Sequence, residues 1–223
     1  MARVPRALLS QSAKDYVCRE IASGTFPGNS RVSIDCLSKE LAISPTPIRE
    51  ALVQLVAEGF LRQLPNRGFH VLPLAQREVS GLYPIGAALE SLGLRTASLP
   101  CPDRMAELRC LNLSLQNHVE KDPKGLILLN QKWHRTLLEG CDNDELARMI
   151  AQLRARTFRY EHVCYAFDRA DMVAQVEMHE RILNALDEGD VDRACAELQR
   201  HWQANLELVI RTGKSVFAPP DHH

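Results

Sequence analysis

The chain of 223 residues lacks a CxxC pair, a long apolar run and any large net charge. Its seven cysteines are scattered and odd in number, which argues against a disulfide framework and against a zinc ribbon. No stretch reaches the length of about 18 consecutive apolar residues that a membrane span needs. The N-terminus also lacks the apolar core of a signal peptide. These absences favour a cytoplasmic protein without membrane contact.

The distribution of charge is more informative than the net charge of −1. Residues 1–72 carry nine Lys and Arg against six Asp and Glu, a net of +3, and the remainder carries 18 against 22, a net of −4. A basic N-terminal part joined to an acidic remainder is typical of a DNA-binding module attached to another domain.

The apolar pattern of the first 72 residues predicts three helices followed by a β-hairpin. Ser44 is expected to cap the third helix, and Pro45 suits its first position because proline has no N–H to leave unpaired. Two short helices with a tight turn and then a hairpin indicate a winged helix-turn-helix. We expect the helices near 8–22, 33–41 and 45–58, and the strands over 60–63 and 69–72 with 64–68 as the loop.

The first turn of the third helix carries the main candidates for DNA contact. In a helix-turn-helix this turn faces the base edges of the major groove, and here it holds Ser44, Thr46 and Arg49. A guanidinium can form a fork to guanine or bind a phosphate. Arg49 could instead pair with Glu50 or Glu58, or remain solvated. The remaining candidates, in the basic N-terminal part and at the hairpin tip, are Arg31, Asn66, Arg67 and Gly68.

From about residue 77 onward the periodicity is helical throughout, so the fold class is mainly α. Pro84 lies inside the first of about six helices, and we expect it to kink that helix or delay its start. The predicted helices lie near 77–97, 103–120, 124–140, 144–167, 171–188 and 191–212. The predicted organisation is a winged helix-turn-helix over 1–72, a linker over 73–76, an all-helical bundle over 77–215 and a tail over 216–223.

Three histidines of the helical part lie at helical spacing from apolar residues, so each is expected to point inward: His134, His179 and His201. Asn130 precedes His134 by one turn on the same face. A buried imidazole needs a hydrogen-bond partner or a metal. Three imidazoles and an oxygen donor suit a divalent ion such as zinc or nickel. The alternative is a set of core histidines that bond to their neighbours without metal.

The segment ISPTPIREALVQLVAEGFLRQLPNRGFHV, with SGTFPGNSRVS upstream, resembles the DNA-binding region of GntR-family regulators. The resemblance covers roughly residues 10–72 and implies a winged helix-turn-helix that binds operator DNA. The family usually has Arg after the capping residue, and this sequence has Pro45 there. One expected DNA contact is therefore missing, and the operator preference is expected to differ.

Residues 77–212 resemble the FCD ligand-binding domain of the FadR-type subgroup of that family. The resemblance rests on NQKWHRTLLEGCDNDEL and EMHERILNALDEGDVDRACAELQRHW. It implies that the metal ligands fall on Asn130, His134, His179 and His201, and that the effector is a small organic acid, often a carboxylate.

Two positions depart from the FCD pattern. Asn130 replaces the usual Asp, and a neutral amide is the poorer ligand. Gly86 stands where an Arg usually helps to hold the acid, so this anchor is absent. The candidates to replace it, which could equally lie on a solvated helix face, are Arg154, Arg156 and Arg159.

These observations predict a homodimeric regulator, most often a repressor in this family, that binds a near-palindromic operator and responds to an organic acid bound in the helical domain. One alternative keeps the regulator but gives it a metal-free pocket for a neutral or larger ligand. A second alternative is a metal-dependent enzyme fused to a DNA-binding module. We find no clearly placed general base and no nucleophile motif, so the protein is not expected to be an enzyme.

Overall fold

The computed structural model describes residues 5–119, 123–164, 169–213 and 217. The chain divides into two compact units. The first contains the described residues up to Gln76 together with Gly213 and Phe217, and the second spans Arg77–Thr212. None of the described helices is long and apolar enough to cross a membrane.

The first unit begins with three helices, α1 (Arg6–Ala22), α2 (Ile34–Leu41) and α3 (Pro45–Ala57). Ala42 adopts a left-handed conformation with φ 53° at the end of α2, and this reverses the chain into the short turn before α3. Ser38 fastens the turn, since its hydroxyl donates to the carbonyl of Ile43 at 2.6 Å. Helix α1 packs on α3. The buried residues of this unit include Val17, Ile21, Leu37, Ile48, Leu52, Leu55, Phe60 and Phe69.

A three-stranded antiparallel sheet completes this unit, with the order β1-β3-β2. Strands β2 (Leu61–Leu64) and β3 (Gly68–Val71) form the predicted hairpin. Strand β1 (Arg31–Val32) pairs with the other edge of β3 and was not predicted, because two residues are too few to show alternation. The unit is a winged helix-turn-helix, as the sequence predicts.

The prediction for the cap of α3 was wrong in one respect. Ser44 occupies the N-cap position, but its side chain makes no capping hydrogen bond. An N-cap side chain normally accepts from the N–H of the second or third helical residue, and Pro47, the third residue here, has no N–H. By contrast, the hydroxyl of Ser33 caps α2 by accepting from the Cys36 N–H at 3.3 Å.

The second unit is all-helical in its described part, and its helices are α4 (Gln76–Thr96), α5 (Pro102–Val119), α6 (Pro123–Leu137), α7 (Asp144–Cys164), α8 (Arg169–Asp187) and α9 (Val191–Thr212). Helix α4 passes through Pro84 without interruption, so the proline does not delay the start of the helix. Helix α8 packs on α9 and on α5, α5 packs on α6, and α7 contacts α6 and α9. Residues 165–167, which the sequence assigned to the end of α7, lie outside the described residues.

Candidate metal centre and nucleic-acid interface

The first turn of α3 presents an exposed polar surface. Ser44, Thr46 and Arg49 are all exposed there, whereas Pro47 and Ile48 are buried and anchor the turn. Both alternative partners considered for Arg49 are engaged elsewhere: Glu50 pairs with Arg6, and Glu58 pairs with Lys14 at 2.5 Å. Within the described part of the chain, Arg49 forms no ion pair. Its guanidinium is therefore available to a ligand.

The wing is the hairpin of β2 and β3, and its tip is the tight turn between the two strands. The tip contains two left-handed residues, Asn66 at φ 58° and Gly68 at φ 79°. Arg67 between them is exposed. Arg31 lies beside the tip, because its Nε is 3.7 Å from the position that a Cβ on Gly68 would take. Sequence reasoning missed Arg62, which is exposed on β2 and donates to the Asn29 side chain at 2.8 Å. The signal available in the sequence was the alternation of apolar Leu61 with charged Arg62, which places Arg62 on the exposed face of the strand.

The three predicted histidines meet in the core of the helical unit. His134 comes from α6, His179 from α8 and His201 from α9, and each is at most 1% exposed. One ring nitrogen from each can be chosen so that all three lie within 4.8 Å of one another. Such a cluster of buried imidazoles could hold a metal ion.

A buried carboxylate that sequence reasoning missed orients one of these rings. Glu90 on α4 is fully buried, and its Oε2 lies 3.0 Å from His134 Nδ1. The same oxygen accepts from Trp202 Nε1 at 2.9 Å, and Arg154 donates to the other oxygen. Burial raises the pKa of Glu90, but Arg154 and His134 outweigh it and hold that pKa well below its usual range. The carboxylate is therefore ionised and fixes the proton of His134 on Nδ1, which leaves Nε2 free to bind a metal.

The protonation of the cluster also favours metal binding. Burial lowers the pKa of His134 to about 4, with Arg154 adding to the effect and Glu90 opposing it. Burial likewise lowers the pKa of His179 and of His201, and in each case another histidine of the cluster adds to the effect. Because their pKa values are lowered, all three rings are neutral at neutral pH. Neutral imidazole is the form that binds metals.

Among the described residues, the hydrogen bonding of the cluster is incomplete. His179 stacks on Trp133, with ring centroids 3.8 Å apart, and neither of its nitrogens finds a partner among the described residues. The Nε2 atoms of His134 and His201 face each other at 3.1 Å. Two ligands held at about 2.1 Å from one tetrahedral ion lie roughly 3.4 Å apart, so this spacing suits two ligands of one ion. The residues present therefore fit a borderline divalent metal.

Asn130 lies one turn before His134 on α6 and is 9% exposed. Among the described residues it makes no hydrogen bond to a histidine. A different amide contacts the cluster: Asn205 on α9 places Nδ2 3.0 Å from His201 Nε2. Sequence reasoning missed it, although it follows His201 by one helical turn and so shares its face.

The three arginines proposed as acid anchors are all engaged with carboxylates. Arg154 binds Glu90 and lies over the Trp202 ring at 4.8 Å from the centroid. Arg156 and Arg159 both bind Glu78, which also accepts from Tyr160 at 2.7 Å. Only Arg154 belongs to the histidine cluster.

Position 86 has no room for a side chain. A Cβ there would lie 2.5 Å from Cη2 of Trp202, and two more carbons of that ring would be within 3 Å. Trp202 is 3% exposed and packs edge-to-face on Tyr83. The indole therefore fills the space beside α4 where the resemblance places an arginine.

A second buried carboxyl, Glu161, lies on the inner face of α7 and is 2% exposed. Burial raises its pKa, and Glu90 adds to this while Arg154 and a hydrogen bond from Thr157 oppose it. Its Oε2 has no hydrogen-bond partner among the residues the structure describes. Periodicity could have placed Glu161 on the buried face, since it follows Arg154 by seven residues.

Two protein-family models match the chain. Residues 9–71 match that of the bacterial regulatory proteins of the gntR family, and residues 82–204 match the FCD domain. The chain therefore belongs to the GntR family, in its FadR-type subgroup with a C-terminal FCD domain. It is a DNA-binding transcriptional regulator and not an enzyme.

Individual relatives agree with this assignment over nearly the whole chain. The "Probable D-xylose utilization operon transcriptional repressor" of Paenarthrobacter nicotinovorans is 26% identical over 217 residues, which are 97% of this chain and 95% of the relative. The "Nta operon transcriptional regulator" of Aminobacter aminovorans is 27% identical, covering 82% of this chain and 88% of its own. The solved structure of E. coli McbR/YncC is 25% identical with a TM-score of 0.67, covering 95% of this chain and 99% of that one.

Proposed function

We propose that this regulator is a homodimeric repressor whose affinity for operator DNA is controlled by a small organic acid bound to a divalent metal. The observation that carries the proposal is the buried cluster of three neutral imidazoles, oriented by Glu90 and short of hydrogen-bond partners. His134, His179 and His201 would hold the ion, which would supply the positive charge that attracts an oxygen ligand. The repressor role is supported by the similarity to the Paenarthrobacter relative, which is named as a probable transcriptional repressor.

The charges around the cluster make the binding of an organic acid depend on the metal. Arg154 is the arginine of the cluster, and Glu90 neutralises it. Gly86 contributes no side chain, and Arg156 and Arg159 are held by Glu78. The three imidazoles are neutral, so the metal is the main source of positive charge for a carboxylate effector.

The proposed DNA contacts are made by the first turn of α3 and by the wing. The base edges are contacted by Arg49, Ser44 and Thr46. The wing approaches the adjacent groove with Asn66, Arg67 and Gly68, and Arg31 lies beside them. Pro45 and Pro47 remove two N–H groups from the start of α3, so Arg49 carries more of the phosphate and base contact than in a helix with free N–H donors.

The proposed dimer places two recognition helices on two half-sites of a near-palindrome. A candidate contact surface is the exposed stripe of α4, which is mostly apolar and carries no charged side chain: Pro84, Ile85, Ala88 and Leu92. An uncharged stripe can pack on its own symmetry mate without like-charge repulsion, as a two-fold interface requires. The effector acts because it binds more tightly to the protein in one of two arrangements of the DNA-binding modules.

A metal-free pocket for a neutral ligand is the second candidate. The observation that favours it is the Trp202 ring, which replaces a charged anchor at position 86 by an aromatic surface. Aromatic walls with few polar groups suit neutral or larger ligands.

The two candidates are separated by one experiment on the full-length protein. Metal content is measured first, and the preferred DNA site is selected from random duplexes. DNA affinity is then measured with a panel of mono- and dicarboxylates and neutral sugars, with and without chelator. Release by an acid only in the metal-loaded protein supports the proposal. Release that persists in chelated protein and in His134→Ala supports the metal-free pocket instead.

A further inference from the structure

The outer face of the three-stranded sheet carries a row of basic side chains, Arg31, His70 and Arg62. In the antiparallel register, His70 on β3 lies opposite Arg31 on β1 and opposite Arg62 on β2. Directly opposed residues point to the same face of a sheet, so the three side chains share one face. Phe69 and Val71, which flank His70 along β3, are buried and point to the opposite face. The basic row therefore lies on the face that is turned away from the core, and both of its arginines are exposed.

The charge of this face has no carboxylate to balance it. The two segments that form the sheet, residues 21–34 and 59–77, contain no Asp or Glu. Within the described part of the chain, neither Arg31 nor Arg62 forms an ion pair. In the helical unit, by contrast, exposed arginines such as Arg95 and Arg211 pair with carboxylates. The basic row is thus a patch of uncompensated positive charge, and its natural partner is an anion.

A hydrogen-bond network holds one guanidinium of the row in place. Arg62 Nη2 donates at 2.8 Å to the side chain of Asn29, which precedes β1, so the side chain of Arg62 spans β3. The ring of His70 lies between two backbone carbonyls, with one nitrogen 3.2 Å from the oxygen of Asn29 and the other 3.2 Å from that of Arg67. The same network therefore reaches the wing tip. A guanidinium has five N–H donors, so the bond to Asn29 fixes Arg62 and leaves other donors for a ligand.

We propose that Arg62 and Arg31 bind phosphates of the DNA backbone beside the groove that the wing tip approaches. The fork of a guanidinium matches the oxygens of a phosphate. The two arginines lie on strands on either side of β3, about 10 Å apart, so they suit separate phosphates of an extended backbone. The inference rests on the DNA interface proposed above. It adds to the base contacts of α3 a contact that carries no sequence information.

The test uses the full-length protein and two duplexes of equal length, the selected DNA site and a scrambled sequence. Fluorescence anisotropy measures the dissociation constant of each duplex at several KCl concentrations for Arg62→Gln and Arg31→Gln. Arg62→Lys keeps the charge, and Arg19→Gln removes a charge from an exposed position on α1 as the matched control. Circular dichroism and melting show whether each variant folds. Arg31→Gln carries the test by itself if Arg62→Gln does not fold.

The expected losses are independent of sequence and dependent on salt. Arg62→Gln should weaken binding to both duplexes by a similar factor, roughly 3–10-fold at moderate salt for the two copies of an exposed contact in a dimer. The plot of log affinity against log salt should become shallower by about 0.9 for each phosphate contact that is lost. Arg31→Gln should behave in the same way, whereas Arg62→Lys should keep most of the slope and Arg19→Gln nearly all of it.

The outcomes separate this inference from the proposed DNA interface. If Arg62→Gln changes the affinity and the slope no more than Arg19→Gln does, the inference is wrong, while a loss in Arg49→Ala still supports the contact of α3. A loss in Arg62→Gln that is confined to the selected site also overturns it, because such a loss marks a base contact. If neither Arg49→Ala nor Arg62→Gln weakens binding, the proposed DNA interface fails and this inference fails with it.

Discussion

The ring of Trp202 rests on the backbone of Gly86, and a Cβ added at position 86 would lie 2.5 Å from its Cη2 atom. The ring cannot easily retreat, because its Nε1 donates to Glu90 and Arg154 lies over its face. Gly86→Ala should therefore destabilise the protein by about 1–3 kcal/mol, the usual cost of overpacking a core. Chemical denaturation of the metal-free protein measures this change in the free energy of unfolding.

The matched control is Gly81→Ala on the same helix, where nothing lies within 4 Å of the added Cβ. Alanine there should stabilise the protein by about 0.5–1 kcal/mol, since glycine is unfavourable inside a helix. In the Trp202→Leu background, Gly86→Ala should lose most of its cost. A cost that persists in that background would show that the clash with Trp202 is not its cause.

The caps of α2 and α3 give a second prediction. Ser33 accepts a capping hydrogen bond at 3.3 Å, so Ser33→Ala should cost about 0.5–2 kcal/mol of stability. Ser44 makes no such bond, so Ser44→Ala should leave the free energy of unfolding nearly unchanged while weakening DNA binding. Thermal denaturation measures the stability of both variants. Equal losses of stability in the two would contradict this assignment of the caps.

The helices of both units were predictable because each is defined by a local apolar pattern. The predicted bounds 191–212 coincide with α9, and those of α2 and α3 differ by one residue at one end. The inward direction of His134, His179 and His201 was predictable for the same reason, since spacing fixes the face of a helix.

The environment of the histidines was not predictable, because it depends on contacts between distant parts of the chain. Glu90 lies in the largely apolar segment LYPIGAALES, and its partners His134 and Trp202 follow it by 44 and 112 residues. Position 86 showed that an arginine was missing, but only the packing of α9 on α4 showed that Trp202 fills its space. Asn205 was on the correct face, but no local pattern distinguishes an amide that contacts a histidine cluster from one that is simply buried.

Arg49 carries the third prediction. It is exposed, and Glu50 and Glu58 bind other cations, so its loss removes a DNA contact without breaking an internal pair. Arg49→Ala should weaken binding to the selected DNA site by roughly 1–3 kcal/mol, or about 5–150-fold. Fluorescence anisotropy at moderate salt measures the affinity. Arg19→Ala, an exposed charge at the end of α1, is the control for a general electrostatic effect, and equal losses in both variants would argue against a specific contact.

Glu161 gives a prediction of pH dependence. Burial raises its pKa in the folded protein, and Glu90 adds to this effect against Arg154 and Thr157. The folded chain therefore holds the proton more tightly than the unfolded chain, whose Glu titrates near a pKa of about 4.3. The stability that the protonated carboxyl contributes is complete below that pH and is lost as the pH rises through the folded pKa.

Glu161→Gln keeps the shape of the side chain and removes the titration. The variant should be more stable than the unaltered protein at pH 8, by about 1–3 kcal/mol, the cost of a buried group without its partner. The difference should shrink towards zero as the pH falls below the unfolded pKa of about 4.3, because the carboxyl is then protonated in both the folded and the unfolded state. Denaturant titrations of the metal-free proteins between pH 4 and pH 8 measure it. A difference that is independent of pH would mean that the carboxyl of Glu161 does not titrate as described.

Glu90→Gln tests the support behind the metal centre. The ionised carboxylate holds the proton of His134 on Nδ1 and so directs Nε2 towards the other histidines. A neutral amide keeps the shape but weakens this preference, and it leaves Arg154 without its counter-charge. Zinc affinity should fall roughly 10–100-fold, and the metal-free protein should lose about 3–5 kcal/mol of stability, as when one partner of a buried pair is removed.

Glu78→Gln is the matched control, because Glu78 lies on the same helix and binds two arginines but does not contact the histidines. Its effect on zinc affinity should stay within about twofold, far below the loss typical of a group that supports a metal ligand. Competition with a chelator measures both variants under the same conditions. A loss in Glu78→Gln as large as in Glu90→Gln would mean that the effect arises from general destabilisation of α4. If only Glu90→Gln loses affinity, the carboxylate acts on the metal through His134, and its ionised form is what keeps that ring ready to bind.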